Sequence, residues 1–286
     1  MSALPTLTTK QDRASEHRRR ARRSITISTI STIVVIGGLA TYVLTSPGWP
    51  TVREDFFSAS VFKASFPSIL SGFWLDVKLF LVVEVAVLVL GLVIALIRTI
   101  NAPVLFPLRV LAVIYVDVMR GIPTILLVYI IGFAVPALDL SGVPTNPTVL
   151  GGIALTLCYS AYVSEVLRAG LESIHPSQAG AALALGLTPT QSLRYVVVPQ
   201  AVRRVIPPLM NDFLALQKDV ALVSIIGPQE AFRVAQIYAA SQFNYTPLLA
   251  ATALYLCVTI PTTRLVDRLQ ARSRRERGGV LAFGPR

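Results

Sequence analysis

Between Pro199 and Asp219 the sequence reads PQAVRRVIPPLMNDFLALQKD, and Asn211, Asp212, Gln217, Lys218 and Asp219 fall in a stretch continued by the apolar residues up to Ile226. A charged side chain at the centre of a bilayer costs roughly 3 kcal/mol or more, so at least one face of this segment must line protein or water. Glu84 lies inside another apolar run, FLVVEVAVLVLG, where a carboxylate is expected to face the interior of a helix bundle. Glu165 and Arg168 are three apart and share a helix face, so they can pair with each other or offer one charge to a ligand. Asn211 can serve a ligand or satisfy backbone groups freed by Pro207 and Pro208. Lys218 and Asp219 can likewise serve packing or a subunit contact. None of these groups forms a nucleophile–base pair. The two histidines, His17 and His175, lie in polar segments, and H-E-x-x-H and metal-ligand spacings are absent from the sequence. Cys158 and Cys257 both fall in apolar runs and read as packing residues. The expected chemistry is therefore binding within a membrane, with no catalytic residue and no metal.

The elements that must hold these residues are helices. Of 286 residues, 53% are hydrophobic and 14% charged, against about 25% charged in soluble domains. Mean hydropathy is +0.65. The net charge of +11 does not point to nucleic acid, because the basic residues sit at the ends and between apolar blocks without interleaved aromatics. The fold class expected is an all-α polytopic membrane protein of about six transmembrane helices, a five-helix core plus one N-terminal helix, with both termini cytoplasmic. Residues 1–23, ending in HRRRARR, read as a basic, disordered tail held by anionic lipid. Residues 24–46 form a first span, retained because no A-x-A cleavage site follows it. Residues 47–71 form an outer loop broken by Pro47, Pro50 and Pro67. Residues 72–268 form the main transmembrane domain, and 269–286 a basic cytoplasmic tail. Within the main domain the expected spans are 72–97, 122–138, 148–167, 205–226 and 246–265, with 110–119 as a partly embedded lead-in helix and a break at Asn101, Pro103 and Pro107. Asp76 and Lys78, near the outer end of their span, are expected to reach headgroups or each other. This arrangement places most arginines inside.

The one long polar-punctuated segment of the second half, Ser160 to Gln200, reads as a span end followed by two short helices. Pro176 suits a first helical turn, and Gly186 is placed to end the first short helix as its C′ residue. Thr188 and Gln191 have capping-box spacing around Pro189, and Pro199 is expected to close the unit. A small-residue helix with a stop at each end suits a rigid knob for a partner protein; it equally suits an ordinary cytoplasmic loop.

Several motifs in this order resemble the permease subunits of ATP-binding-cassette importers, specifically the polar amino-acid uptake branch. AYVSEVLRAG (Ala161–Gly170) is similar to that branch's AYxxExxRxG signature, Pro199–Asp219 to its PQAxRxxxPxxxNxxxxxxKD run, and RGIP at Arg120 to its RG-x-P span opening. The loop resembles the family's EAA loop: Ala181 and Ala182 match its two alanines, Gly186 its glycine, Val196 and Val198 its aliphatic pair, and Pro199 its end. Gly180 stands where the loop's glutamate would be, and Val220-Ala221 where Thr-Ser often follows Lys-Asp. The resemblance implies a permease subunit that takes polar or charged amino acids from an extracytoplasmic binding protein, in a bacterial inner (plasma) membrane. It implies a second permease subunit, the same or a different chain, and a dimer of ATP-binding subunits that use ATP and Mg²⁺, contacted through the loop at 170–199. The sequence has no G-x-x-x-x-G-K-[ST], so ATP hydrolysis falls to the partner and this chain binds no cofactor. A zwitterion needs an anion for its ammonium and a cation for its carboxylate, so Glu165, Asn211, Lys218 and Asp219 are the implied substrate-path residues. Gly180, Ala181, Ala182, Gly186 and Pro199 are the implied coupling residues. The alternative is an ion-gradient-driven secondary transporter or channel using Glu84, Asp212 and Asp219.

Overall fold

A computed structural model describes residues 10–100 and 102–281, among which every regular element is helical. Asn101 falls outside the described residues. The chain forms two compact units, divided between Phe57 and Ser58.

The first unit holds α1 (Lys10–Leu44) and α2 (Trp49–Phe56). Residues 24–44 of α1 are apolar and exposed all round, which suits a helix bathed in lipid. Thr29, Thr32 and Thr41 hide their hydroxyls by donating to carbonyls four residues back, at 2.7–2.8 Å. The basic segment from Lys10 to Arg23, expected to be disordered, continues this helix. Ala, Arg, Glu and Lys are strong helix formers, and extending an existing helix requires no new nucleus. Likewise, α2 stands where an irregular loop was expected.

The second unit is built on α3 (Ala59–Thr99) and α6 (Pro147–Glu172). At 41 residues α3 starts well before the expected Gly72, and Pro67 lies inside it. That proline removes one donor from the ladder, while the buried row Ser65, Ile69, Gly72, Asp76, Phe80, Val83, Val87, Gly91 and Ile94, spaced three and four apart, fixes the helix against its neighbours. α6 matches the expected fourth span. Asn146 caps it, its side chain accepting from the N–H of Thr148 and Val149, and it buries Leu150, Ala154, Leu155, Cys158, Tyr159 and Val163. Those side chains meet Phe80, Val83 and Val87 of α3 in the main core.

Between them, α4 (Phe106–Gly121) and α5 (Thr124–Ala137) are bent by 107° at Ile122-Pro123. The expected third span is thereby corrected. α5 alone has 14 residues, about 21 Å, too short for a hydrocarbon core of about 30 Å, and only the bent pair together can count as one broken span. Pro123 cannot donate and fixes its own φ, which forces the break. Arg120 holds the corner: its guanidinium lies 5.7 Å from the Tyr162 ring, and the Tyr162 hydroxyl donates to its carbonyl at 3.5 Å.

Then follow α7 (Pro176–Ala184), α8 (Pro189–Ser192), a π turn (Leu193–Val197), α9 (Val198–Asp219), a 3₁₀ run (Val220–Ile226), α10 (Ala231–Gln242) and α11 (Thr246–Leu281). Cys158 packs in the core while Cys257 on α11 is exposed, so only the first is a packing residue. Among the described residues four helices are long and apolar enough to cross a membrane, or five if the bent pair is one span. α9 is long enough at 22 residues but too polar to be counted by composition, so a sixth span rests on it.

Candidate functional site

The knob forms as its caps dictate. The His175 ring accepts from the Ser177 N–H at 3.2 Å and starts α7 ahead of Pro176. At its end Gly186 takes φ +86°, the Leu187 N–H reaches the Ala182 carbonyl at 3.2 Å and the Gly186 N–H that of Leu183 at 2.9 Å, a Schellman closure. The capping box is present: the Gln191 N–H bonds Thr188 Oγ1 at 3.3 Å and the Thr188 N–H bonds Gln191 Oε1 at 2.9 Å. Pro199, however, does not close the unit. The Val198 N–H bonds the Leu193 carbonyl in π fashion, and Pro199 falls in the first turn of α9, where its missing donor is harmless. The chain is therefore helical without interruption from Pro189 to Asp219. Of the loop residues singled out from sequence, Gly180, Ala181, Gly186 and Pro199 are exposed, whereas Ala182 is buried in the knob's own small interior. The outer surface is mixed: among exposed polar residues such as Gln178, Gln191 and Arg194, two large apolar side chains stand out, Leu185 at 85% exposure and Tyr195 at 62%.

The polar residues of α9 divide by face. Arg204, Asn211 and Lys218 recur every seven residues and are all exposed, forming one polar stripe. Asp219 turns inward, accepting from the Tyr159 hydroxyl of α6 at 2.8 Å. Asp212 is half-buried, with Oδ2 out of reach of any protein donor, and lies within electrostatic range of Glu84 on α3. Gln270 of α11 donates to the Pro207 carbonyl at 3.4 Å, contributing at the proline pair where Asn211 was a candidate.

Glu165 stands apart from this stripe. It binds Arg98 of α3 at 2.7 Å and also Arg168, which continues to Glu172 at 2.5 Å. The pairing with Arg168 follows from their spacing. Arg98 is a partner that sequence could not supply, since nothing local relates residues 67 positions apart. Its side chain is only 11% exposed, so Glu165→Gln, which strands that charge, is expected to destabilise the protein by about 3 kcal/mol in detergent thermal melts. Arg98→Gln should cost less, because Glu165 keeps Arg168.

A further cluster went unseen in the sequence. Asp76, expected at headgroup level beside Lys78, is buried: its Oδ2 accepts from the Tyr255 hydroxyl at 2.8 Å and the Ala231 N–H at 3.4 Å. Lys78, two residues on, points to another face of the helix, over the Trp74 ring at 5.7 Å. Glu230 caps α10, accepting from the N–H groups of Phe232 at 2.7 Å and Arg233 at 2.6 Å, and it also accepts from Tyr255 at 3.3 Å. Burial pushes the Glu230 carboxyl up against the opposing pull of those two N–H groups.

Comparison with known proteins places these features in a family. Residues 87–275 match the family described as binding-protein-dependent transport system inner membrane component. The arginine transport system permease protein of Bacillus subtilis (strain 168) is 32% identical over 208 residues, 72% of this chain and 92% of that protein. The glutamine transport system permease protein of Escherichia coli (strain K12) is 33% identical over 162 residues, 56% of this chain and 74% of that protein. Among solved structures, an amino acid ABC transporter with histidines superposes with a TM-score of 0.65 at 30% identity, over 72% of this chain and 94% of that one. The methionine ABC transporter in an inward-facing conformation shares the fold, with a TM-score of 0.57 at 18% identity.

Proposed function

The chain belongs to the family of binding-protein-dependent transport system inner membrane components, and from that premise we propose that it is the membrane-spanning permease subunit of an ATP-driven importer of polar or charged amino acids. An extracytoplasmic binding protein delivers the amino acid. A dimer of ATP-binding subunits, which uses ATP and Mg²⁺, drives the cycle from the cytoplasmic side of a bacterial inner membrane. Both termini of this chain are cytoplasmic in this reading, and α9 is the sixth span.

The observation that carries the mechanism is the continuity of the helix from Pro189 to Asp219. One end of this rod belongs to the knob and the other carries Asn211, Lys218 and Asp219. A push on the knob is therefore passed along one helix to Asn211 and Lys218, across the Pro207-Pro208 pair where two ladder donors are missing, which suits alternating access. Within the span, Asn211 and Lys218 cannot face lipid without a large penalty, so their face meets a second permease subunit and the water-filled path between them, while Arg204, at the inner end, donates to the Ser173 carbonyl. Lys218 and Asn211 meet the carboxylate of the passing amino acid, and Asp219, steadied by Tyr159, meets its ammonium group. Glu165 serves instead as the ionic tie between α3 and α6. The apolar surface of Leu185 and Tyr195 is the docking face for the ATP-binding subunit, with shape and apolar fit serving where Gly180 supplies no carboxylate.

Reconstitution in proteoliposomes tests this reading. Uptake of a radiolabelled amino acid is expected only with ATP, the ATP-binding subunit and the binding protein all present. Uptake by this chain alone, driven by a sodium or proton gradient, would refute it.

A further inference from the structure

Lys78 is a charge on a membrane-spanning helix that no carboxylate among the described residues pairs with. It is exposed, and its ammonium lies over the Trp74 ring, one turn nearer the start of α3. That direction is built in, because side chains on a helix lean toward its N-terminus, here the outer end of the span. A lysine so placed lays its stem along apolar surface and holds its head at the headgroups. Below it, α3 and α6 flank a groove of about 500 Å³. Lys78, Val82 and Ala86 line it from α3, and Thr148, Ile153 and Thr156 from α6. Past Lys78 the wall is apolar, since Thr156 turns its hydroxyl to the Gly152 carbonyl at 2.7 Å. From Leu75 to Ala86 the groove follows about 16 Å of helix, close to one leaflet of a hydrocarbon core of about 30 Å. Val82 follows Phe80, which packs on Phe213 of α9, by two residues, about 200° round the helix. The groove therefore opens on the side of α3 turned away from α9, the helix that carries Asn211 and Lys218.

A lone cation at the mouth of an apolar groove one leaflet deep calls for a molecule with an anion at one end and a long apolar body. We propose that the groove between α3 and α6 is a binding site for an anionic phospholipid of the outer leaflet. One acyl chain lies along Val82, Ala86 and Ile153, and the headgroup phosphate pairs with Lys78 beside the Thr148 hydroxyl. A glycerol headgroup leaves that phosphate its net charge, whereas an ethanolamine headgroup brings its own ammonium to compete with Lys78, so the site prefers the former. A free phosphate would gain nothing from the apolar wall, and the apolar face of a second protein helix would leave the lysine unpaired. The site rests on the permease reading only for the topology that puts Lys78 at the outer leaflet.

The test needs no transport. The full chain, purified in detergent, is mixed with equal amounts of phosphatidylglycerol and phosphatidylethanolamine of the same acyl chains, and the lipid retained is weighed by native mass spectrometry. Phosphatidylglycerol is expected to be retained about fivefold over phosphatidylethanolamine, the preference that one lysine gives near an anionic headgroup. Lys78→Gln should remove that preference and Lys78→Arg should keep it. Ala86→Phe, which fills the inner end of the groove and leaves Lys78 in place, should lower retention of both lipids about fivefold. Should Ala86→Phe fail to fold, Val82→Phe fills the groove from its rim, where the native side chain is 70% exposed. Equal retention of the two lipids by the native chain, or a preference that survives Lys78→Gln, overturns the site. Retention unchanged by the filling variants also overturns it and leaves a charged surface contact only. A Val82→Cys variant, in a Cys257→Ala background, that a bifunctional maleimide links to a second copy of the chain in membranes would put protein in the groove and overturn the lipid. None of these outcomes depends on ATP-driven uptake, so lost uptake with an intact lipid preference would bring down the permease reading and leave this site standing.

Discussion

Gly72→Ala is expected to destabilise the protein by about 3 kcal/mol although it adds a single methyl group. A Cβ at Gly72 would lie 2.7 Å from the Glu230 carbonyl carbon and 2.8 Å from the Ala231 nitrogen. Both are backbone atoms at the start of α10 and cannot rotate away, so α10 must shift off α3. That shift lengthens the Ala231 N–H bond to Asp76, already 3.4 Å, and spoils the packing of Ile69 against Ala231 and Ala235. Gly152→Ala is the matched control. Its Cβ would come within 3.1 Å of Leu79 Cδ1, the far end of a flexible side chain, and alanine is the better helix former by about 1 kcal/mol, so the net effect should be near zero. Thermal unfolding of both variants in the same detergent separates the cases, and equal midpoints would refute backbone proximity as the reason for Gly72.

What could be read from sequence followed how local the governing interaction is. The knob's caps rest on contacts within five residues, and Pro176, Gly186 and Thr188–Gln191 stand where their types and spacing put them, while the His175 ring that caps α7 was given no role from sequence. α6 was nearly as legible: the apolar run expected over 148–167 lies within it, and the helix continues past that run to Glu172. Pro67 and Pro199 misled for a common reason. A proline removes one donor, and whether the helix stops depends on what else holds it: a buried row in α3, a π turn before α9. Asp76 was misplaced because it was weighed by depth along its span instead of by helical phase. It sits in the row Ile69, Gly72, Asp76, Phe80, Val83, and an acid in phase with a buried stripe was the available signal. Its partners Glu230 and Tyr255, like Arg98 for Glu165, come from distant segments, and nothing in the spacing of the chain relates them.

Leu185→Glu should leave stability unchanged and yet stop transport. The side chain is 85% exposed and closes no part of the knob, so the substitution falls within about 0.5 kcal/mol in folding. If Leu185 is an apolar anchor in the groove of the ATP-binding subunit, burying a charge there removes about 2 kcal/mol or more of docking, roughly a 30-fold loss. Amino-acid uptake in proteoliposomes should fall accordingly, and stimulation of ATP hydrolysis by the loaded binding protein should vanish with it. Gly186→Val reaches the same end by another route, since a β-branched residue at φ +86° costs about 1–3 kcal/mol and opens the Schellman turn. Ala182→Glu does not test docking at all: Ala182 is 4% exposed, so a charge there collapses the knob from inside. The three variants thus separate surface from shape. Loss of uptake in Gly186→Val and Ala182→Glu with normal uptake in Leu185→Glu would move the docking face off Leu185, while normal uptake in all three would remove the coupling role from this segment. Because the knob continues without a break into α9, the uncoupled variants should still bind amino acid, and what they lose is the movement of Asn211 and Lys218 that ATP would otherwise drive.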